Sequence, residues 1–312
     1  MKPDVDIVIV IPVGPDPNMD FVLDTLNSIE YYIHCTYKII IIDNTHNSAF
    51  AVDLREHYPE VVLLKTDRHY EKKLDLYVSE AHAYRYALEN FTFRAVLRMD
   101  TDVLIIGHHP EAAALELFRN NPEIGLAGRH IRGRFAVDDF GDVFSNDMGR
   151  GRMIQIAKLF SKNFMRYPIR NWEIRKLLFK AIDNGYEMGD QLFGGACIFS
   201  YNGLNTLRKS GLLPLESVRK ASKDNKTSFI KQHEDDNFFS MLICSLGLEL
   251  GDLNSGNCPF ACTWKGLPAS PETLYNSGKK IIHSTREWKD LKEEDIRRYF
   301  RNKRVEAFAE MA

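Results

Sequence analysis

Short runs of aliphatic and β-branched residues alternate along this chain with longer stretches whose apolar positions recur every three or four residues. Val5 to Ile11 reads as a buried strand, and Phe21 to Tyr32 as a helix bringing Phe21, Leu26 and Ile29 to one side. Lys38 to Ile42 predicts a second strand ended by Asp43, Ala51 to His57 a short helix, Val61 to Leu64 a third strand, and Leu74 to Glu89 a long helix. Ala95 to Met99 is the next strand, closed by Asp100-Thr101-Asp102; a helix from Pro110 to Asn120 and a strand at Ile124 to Ala127 follow. Continuously apolar strands joined by helices imply a mainly parallel, doubly wound sheet with helices on both faces. The pattern breaks between Gly128 and Tyr186, where Gly-Arg clusters at Gly128 to Arg134 and Gly149 to Arg152 flank Asp138, Asp139 and Asp142. That stretch predicts an excursion with a mobile loop, then helices up to Asn184. Gly194 to Phe199 returns to the sheet, a helix starts near Leu204, and Glu234 to Cys244 predicts a helix opened by three acids, matched in sign to the helix dipole. The tail from Trp264 reads as loop-rich until a charged helix at Leu291 to Phe308. The expected division is one α/β domain over residues 1–255 and a C-terminal extension over 256–312 that packs on the active site.

Composition narrows the class. With 312 residues, 44% hydrophobic and 27% charged, the chain is neither disordered, collagenous nor coiled-coil. Lys plus Arg number 41 against 43 Asp plus Glu, and a net charge of −2 offers no global field for a polyanion, so no nucleic-acid partner is expected. No stretch reaches the roughly 18 apolar residues a membrane span requires. The apolar run Ile7 to Val13 follows Asp4 and Asp6 and has no small-residue cleavage site behind it, unlike a signal peptide. Cys35, Cys197, Cys244, Cys258 and Cys262 are scattered and odd in number, which predicts reduced thiols in a cytoplasmic protein. Only Cys258 and Cys262 have metal-like spacing, and no second pair completes a zinc site. The basic residues Arg297, Arg298, Arg301, Lys303 and Arg304 allow peripheral membrane association, although Glu293, Glu294 and Asp295 before them suit a solvated helix better.

Ligands of open α/β sheets gather beyond the carboxyl ends of the strands. Here those ends carry Pro12-Val13-Gly14, Asp43-Asn44 and Asp100-Thr101-Asp102, so one crevice can collect all three. Two carboxylates two positions apart can share a hard divalent cation, Mn²⁺ or Mg²⁺, which then bridges a nucleoside diphosphate. Burying both without a cation or partner would be costly. In Glu234-Asp235-Asp236, crowding raises at least one carboxyl pKa unless a cation or the helix terminus offsets the repulsion, which suits a general base. His283 ends the apolar run Lys280 to Ile282 and is a third candidate ligand. Trp264, Lys265 and Trp288 are candidates for a lid or for docking anchors, and Arg68, Lys72 and Lys73 for diphosphate contacts.

Ile7 to Val13, Ile39 to Asn44, Arg98 to Asp102, Gly194-Gly195-Ala196 and His233 to Asp236 occur in the order seen in nucleotide-sugar glycosyltransferases of the GT-A fold. The chain most resembles the family 2 type, over roughly residues 5 to 250. The resemblance implies that Pro12, Val13 and Asp43 hold the nucleoside, that Asp100 and Asp102 bind metal and diphosphate, and that Gly194 and Gly195 line the donor sugar. It makes Asp235 the favoured base, with Glu234 or Asp236 as the neighbouring alternative. The expected activity is metal-dependent transfer of a sugar from a nucleoside diphosphate, a UDP-sugar by expectation, to a hydroxyl acceptor with inversion. Late histidines serve as metal ligands in several GT-A enzymes, so Asp102 with His283 supports a retaining alternative. A non-catalytic nucleotide-sugar-binding protein is the other. The first strand lacks the Gly-rich, Arg-containing loop of a sugar nucleotidyltransferase. The chain departs from family 2 at Asp43-Asn44-Thr45-His46, where Asp-Asp-x-Ser is usual, and lacks the Q-x-x-R-W segment after the base. That argues against a processive polysaccharide synthase.

Overall fold

The computed structural model describes residues 2–45, 47, 49–66, 73–131, 135–137, 143–145, 172–187, 190–215 and 235–311. The expected α/β architecture is present. Strand β1 (Ile7–Val13) leads into helix α1 (Met19–Tyr32), β2 (Tyr37–Asp43), α2 (Phe50–His57), β3 (Val62–Lys65), α3 (Lys73–Asn90) and β4 (Ala95–Met99). After β5 (Leu104–Ile105) come α4 (Ala112–Asn120), β6 (Ile124–Ile131), and the pair β7 (Phe135–Val137) and β8 (Val143–Ser145). The chain continues through α5 (Trp172–Asp183), β9 (Gln191–Ser200), α6 (Tyr201–Lys209), α7 (Asp235–Ser245) and β10 (Glu249–Asp252). The tail holds β11 (Phe260–Cys262), α8 (Pro271–Asn276), β12 (Ile281–His283), the hairpin β13 (Glu287–Trp288) with β14 (Leu291–Lys292), and α9 (Glu293–Met311).

Seven strands form the main sheet in the order β10-β6-β9-β4-β1-β2-β3. β1 runs parallel to β2 and β4, β2 to β3, and β10 to β6, while β9 lies antiparallel between β4 and β6. Strand alternation sorts the core into two layers. Val8 and Val10 face the cluster built with α3, α5, α6 and α7, whereas Ile7, Ile9, Ile11 and Val13 face the one built with α1, α2 and α4. Both faces are covered, which is why these strands carry no polar alternation.

Local chemistry sets several boundaries. Asn18 caps α1 by accepting from Asp20 N at 3.0 Å, so the helix starts before the apolar periodicity at Phe21 does. Ser200 caps α6 by accepting from Gly203 N at 3.0 Å. A Cβ on Gly203 would sit 2.3 Å from Gly125 O, so only glycine lets this helix lie on β6.

The tail departs from its loop-rich reading. β11, β12 and β5 form a second, three-stranded sheet whose residues Leu104, Ile106, Ala261 and Ile282 share a core with Leu274, Ile296 and Phe300. Strands of two or three residues are too short for periodicity to register. Among the cysteines, Cys197, Cys244 and Cys262 are buried and all five are free. Burial pushes the thiols of Cys244 and Cys262 up to about 12, which leaves them protonated and inert near neutrality. No helix among the described residues is long and apolar enough to cross a membrane.

Candidate cation and nucleotide site

The parallel pairing of β1 with β2 and β4 brings their carboxyl ends to one edge, with Val13 beside Asp43 and Val10 level with Arg98. Antiparallel β9 delivers its amino-terminal half to the same edge, pairing Ala196 with Met99, and Gly195 O accepts from Asp100 N at 2.8 Å. β12 arrives from the second sheet carrying His283 at its end. Asp100, Asp102 and His283 meet there, each offering a ligand atom within 4.8 Å of the others.

Each of the three is held from behind. Arg98, on β4, is buried between Glu80 of α3 at 2.8 Å and Asp100 at 3.0 Å, so a buried ion pair orients the more exposed carboxylate. Asp102 is 6% exposed, with Oδ1 3.4 Å from His283 Nε2 and Oδ2 2.8 Å from Arg286 Nε. Burial alone would raise its pKa, but the hydrogen bond and charge of His283, then Arg286 and Ser284, outweigh it and hold the carboxyl well below its usual range. Asp102 is therefore ionised at any pH near neutrality.

The contact between His283 and Asp102 bears on a cation. His283 Nδ1 lies 2.7 Å from Thr263 O, and a carbonyl only accepts, so Nδ1 carries the proton. In the neutral ring Nε2 then presents a lone pair toward a carboxylate that is itself acceptor-only. A proton on Nε2 or a cation between the two atoms satisfies this pair. Two carboxylate oxygens and an imidazole nitrogen backed by a carbonyl are a fitting donor set for a divalent ion. Gly195 makes room for the ring: a Cβ there would lie 2.4 Å from His283 Cγ and Nδ1.

At the neighbouring strand ends Pro12 and Val13 are buried, and Val13 O accepts from Asn44 N at 3.2 Å. Asp43 is 1% exposed and spends Oδ1 on Thr45 N at 2.9 Å and Thr45 Oγ1 at 2.7 Å, so it shapes the loop after β2. Asn44 is also 1% exposed, yet among the described residues neither Nδ2 nor Oδ1 of its amide finds a hydrogen-bond partner. Sequence reading placed Asn44 at the strand end beside Asp43 but assigned its side chain no role. It also missed the Glu80–Arg98 pair, of which only Arg98, the single charge in β4, left a signal, and it missed Arg286.

Glu234, Arg68, Lys72 and Gly149 to Arg152 lie outside the described residues. Asp235 opens α7, whose Ser240 Oγ accepts from Leu192 N at 3.0 Å; a side chain of that helix is thus tied to the backbone of β9. Gly194 and Gly195 are buried within β9. Trp264 is exposed with Lys265 Nζ 5.2 Å from its ring centroid, and Trp288 is half-buried with Lys289 Nζ at 4.6 Å.

No family model matches the chain, and no curated protein matches it either. Among solved structures it is similar to a mannosyltransferase from Pyrobaculum calidifontis in complex with GDP-Man and Mn²⁺, with a TM-score of 0.43 and 12% identity. That match covers 81% of this chain and 56% of the mannosyltransferase, so the chain spans little more than half of that enzyme's length. The functional reading therefore stands on this chain's own residues.

Proposed function

We propose that the protein is a metal-dependent glycosyltransferase that moves a sugar from a nucleoside diphosphate to a hydroxyl acceptor. The observation that carries this reading is the convergence of Asp100, Asp102 and His283 at the carboxyl edge of the sheet, beside the ends of β1 and β2. A transition-series ion such as Mn²⁺ suits a donor set that mixes imidazole with carboxylates better than Mg²⁺ does. When bound, it would supply positive charge to the departing diphosphate.

The chain's own residues supply the remainder. Pro12, Val13 and the loop shaped by Asp43 wall the crevice in which the nucleoside would lie. The donor sugar would lie beside Asp100 at the Gly194-Gly195 stretch of β9, where the room that Gly195 leaves is taken by the His283 ring. Asp235, or Glu234 beside it, would take the acceptor's proton as its oxygen attacks the anomeric carbon, a contribution of roughly 10²–10⁴ in rate. Inversion is the favoured outcome on that basis. The placement of His283 with the two aspartates is the observation that supports the second reading, a retaining enzyme with Asp102 and His283 as ligands.

UDP- and GDP-sugars supplied with Mn²⁺ should release UDP or GDP, with Asp235→Asn slowing release by about 100-fold or more. NMR of the product anomer then separates inversion from retention. Nucleotide binding with no turnover of any donor would leave a non-catalytic binding protein instead.

The unpartnered amide of Asn44 gives a further expectation. Leaving a buried polar group unsatisfied costs about 1–3 kcal/mol, a cost that a nucleobase or ribose with complementary donors and acceptors would remove. Asn44→Leu should raise the Tm of the free protein while weakening nucleotide binding by roughly tenfold or more, read by thermal shift and calorimetry. A variant less stable than the wild type with unchanged nucleotide affinity would assign Asn44 to the fold alone.

A further inference from the structure

The geometry points to Thr285 and Arg297 as positioning residues of the cation turn, so that helix α9 sets the affinity of the Asp100, Asp102 and His283 site; this rests on reading that group as a cation site. Within the turn Asp100-Thr101-Asp102-Val103, Asp100 O accepts from Val103 N at 3.2 Å, which leaves the carbonyls of Thr101, Asp102 and Val103. Those carbonyls are held from outside the turn. Thr101 O accepts from Arg297 Nη2 at 2.7 Å and from Thr25 Oγ1 at 3.0 Å. Asp102 O accepts from Thr285 N at 3.0 Å and from Thr285 Oγ1 at 2.9 Å. Val103 O lies 3.2 Å from Thr25 Oγ1.

Arg297 reaches the turn from a fully buried position on α9. Its guanidinium also donates to Glu293 Oε1 at 2.9 Å and, at 3.2 Å each, to Asp24 Oδ2, Phe21 O and Thr25 Oγ1. Arg304 pairs with the same Asp24 from one further stretch of α9. Burying such a network is expensive, and an apolar replacement of similar volume is often as stable or more so. A role in packing alone would not call for a guanidinium; delivering a charged donor to Thr101 O does. Thr285 does complementary work: it stands two residues beyond His283 and binds the backbone of Asp102, fixing one candidate ligand's strand against the other's carbonyl. Thr285 Oγ1 lies 3.2 Å from Glu293 Oε1, so the two arms share a carboxylate on α9.

Coupling of this kind is reciprocal. If docked α9 tightens the site, cation binding must tighten the docking of α9 by the same factor. A helix that begins at Glu293, far from Asp100 and Asp102 in sequence, would then report occupancy of the site.

Titration of the full chain with Mn²⁺ alone, followed by EPR of the free ion, tests this without any turnover. Partners behind metal ligands typically command 10–100-fold in affinity, so Thr285→Val and Arg297→Met should each weaken Mn²⁺ by roughly that range. Thr285→Ser, which keeps the hydroxyl, should restore it. Hydrogen exchange of α9 should slow when Mn²⁺ is added to the wild type, and the slowing should shrink in Thr285→Val. A well-folded Thr285→Val that binds Mn²⁺ within twofold of the wild type overturns the proposal and leaves the cation-site reading intact. A wild type that takes up no Mn²⁺ overturns both. Should Arg297→Met fail to fold, the two Thr285 variants still decide.

Discussion

Asp102→Asn should abolish useful Mn²⁺ binding, with a loss exceeding the roughly 100-fold that an outer partner can command, because the change removes charge from a proposed ligand itself. Asp102 is the member of the group with the least freedom to be replaced: it is 6% exposed, it faces His283 and Arg286, and its backbone is tied to Thr285. Asn keeps the shape and one acceptor oxygen but offers no charge to any of them. A stability signature accompanies the lost binding. The folded-state pKa of Asp102 is depressed, so its ionised form stabilises the native state above the ordinary carboxylate range and ceases to as the pH falls toward the lower folded value. The metal-free variant should therefore melt below the wild type at pH 7, and the gap should narrow below about pH 4. Calorimetric Mn²⁺ titration and melting at both pH values check this. Unchanged Mn²⁺ affinity would remove Asp102 from the site.

Much of this arrangement was legible in the sequence because buried strands write themselves plainly. The aliphatic runs at Ile7, Ile39 and Ala95 announce strands covered on both faces, and charged residues interrupting or ending such runs mark the edge where ligands gather. Asp100 and Asp102 were singled out that way, and in the fold Asp100 N donates to Gly195 O of β9. His283 was visible only as the end of a short apolar run; its partner Thr263 follows the neighbouring strand β11, which no periodicity could connect to it. Antiparallel β9 is likewise invisible in composition, since a strand buried on both faces reads the same in either direction. Arg297 illustrates the opposite failure. On the sequence it belongs to a basic helix face suited to solvent, yet it is fully buried against Asp24, about 270 residues earlier, because charge pairing over that separation leaves no local pattern. Asp43 carries an acid at the expected strand end, but its Oδ1 is committed to Thr45, and the neighbouring Asn44 holds the unspent hydrogen bonds.

Gly195→Ala should disable the site with a single methyl group. A Cβ at this position would stand 2.4 Å from the His283 ring, a full ångström inside an ordinary van der Waals contact, which begins at 3.4 Å. Neither side has an easy retreat. The ring is fastened through Nδ1 to Thr263 O at 2.7 Å, and leaving that bond frees Nδ1 of its only fixed orientation. The backbone of Gly195 is fastened by its carbonyl to Asp100 N at 2.8 Å, next to the pair that Ala196 of β9 makes with Met99 of β4. Relief by either route displaces a candidate ligand, His283 in one case and Asp100 in the other. Overpacking of this kind costs about 1–3 kcal/mol, so a loss of a few degrees in Tm is expected together with roughly 10–100-fold weaker Mn²⁺ binding. Combining Gly195→Ala with His283→Ala separates the two effects. Removing the ring removes the clash, so the double variant should recover much of the lost Tm while its Mn²⁺ affinity stays low. The stabilities of two residues in contact should then be strongly non-additive. Additive losses in Tm, or a Gly195→Ala protein that binds Mn²⁺ as the wild type does, would mean that the imidazole does not rest on Gly195.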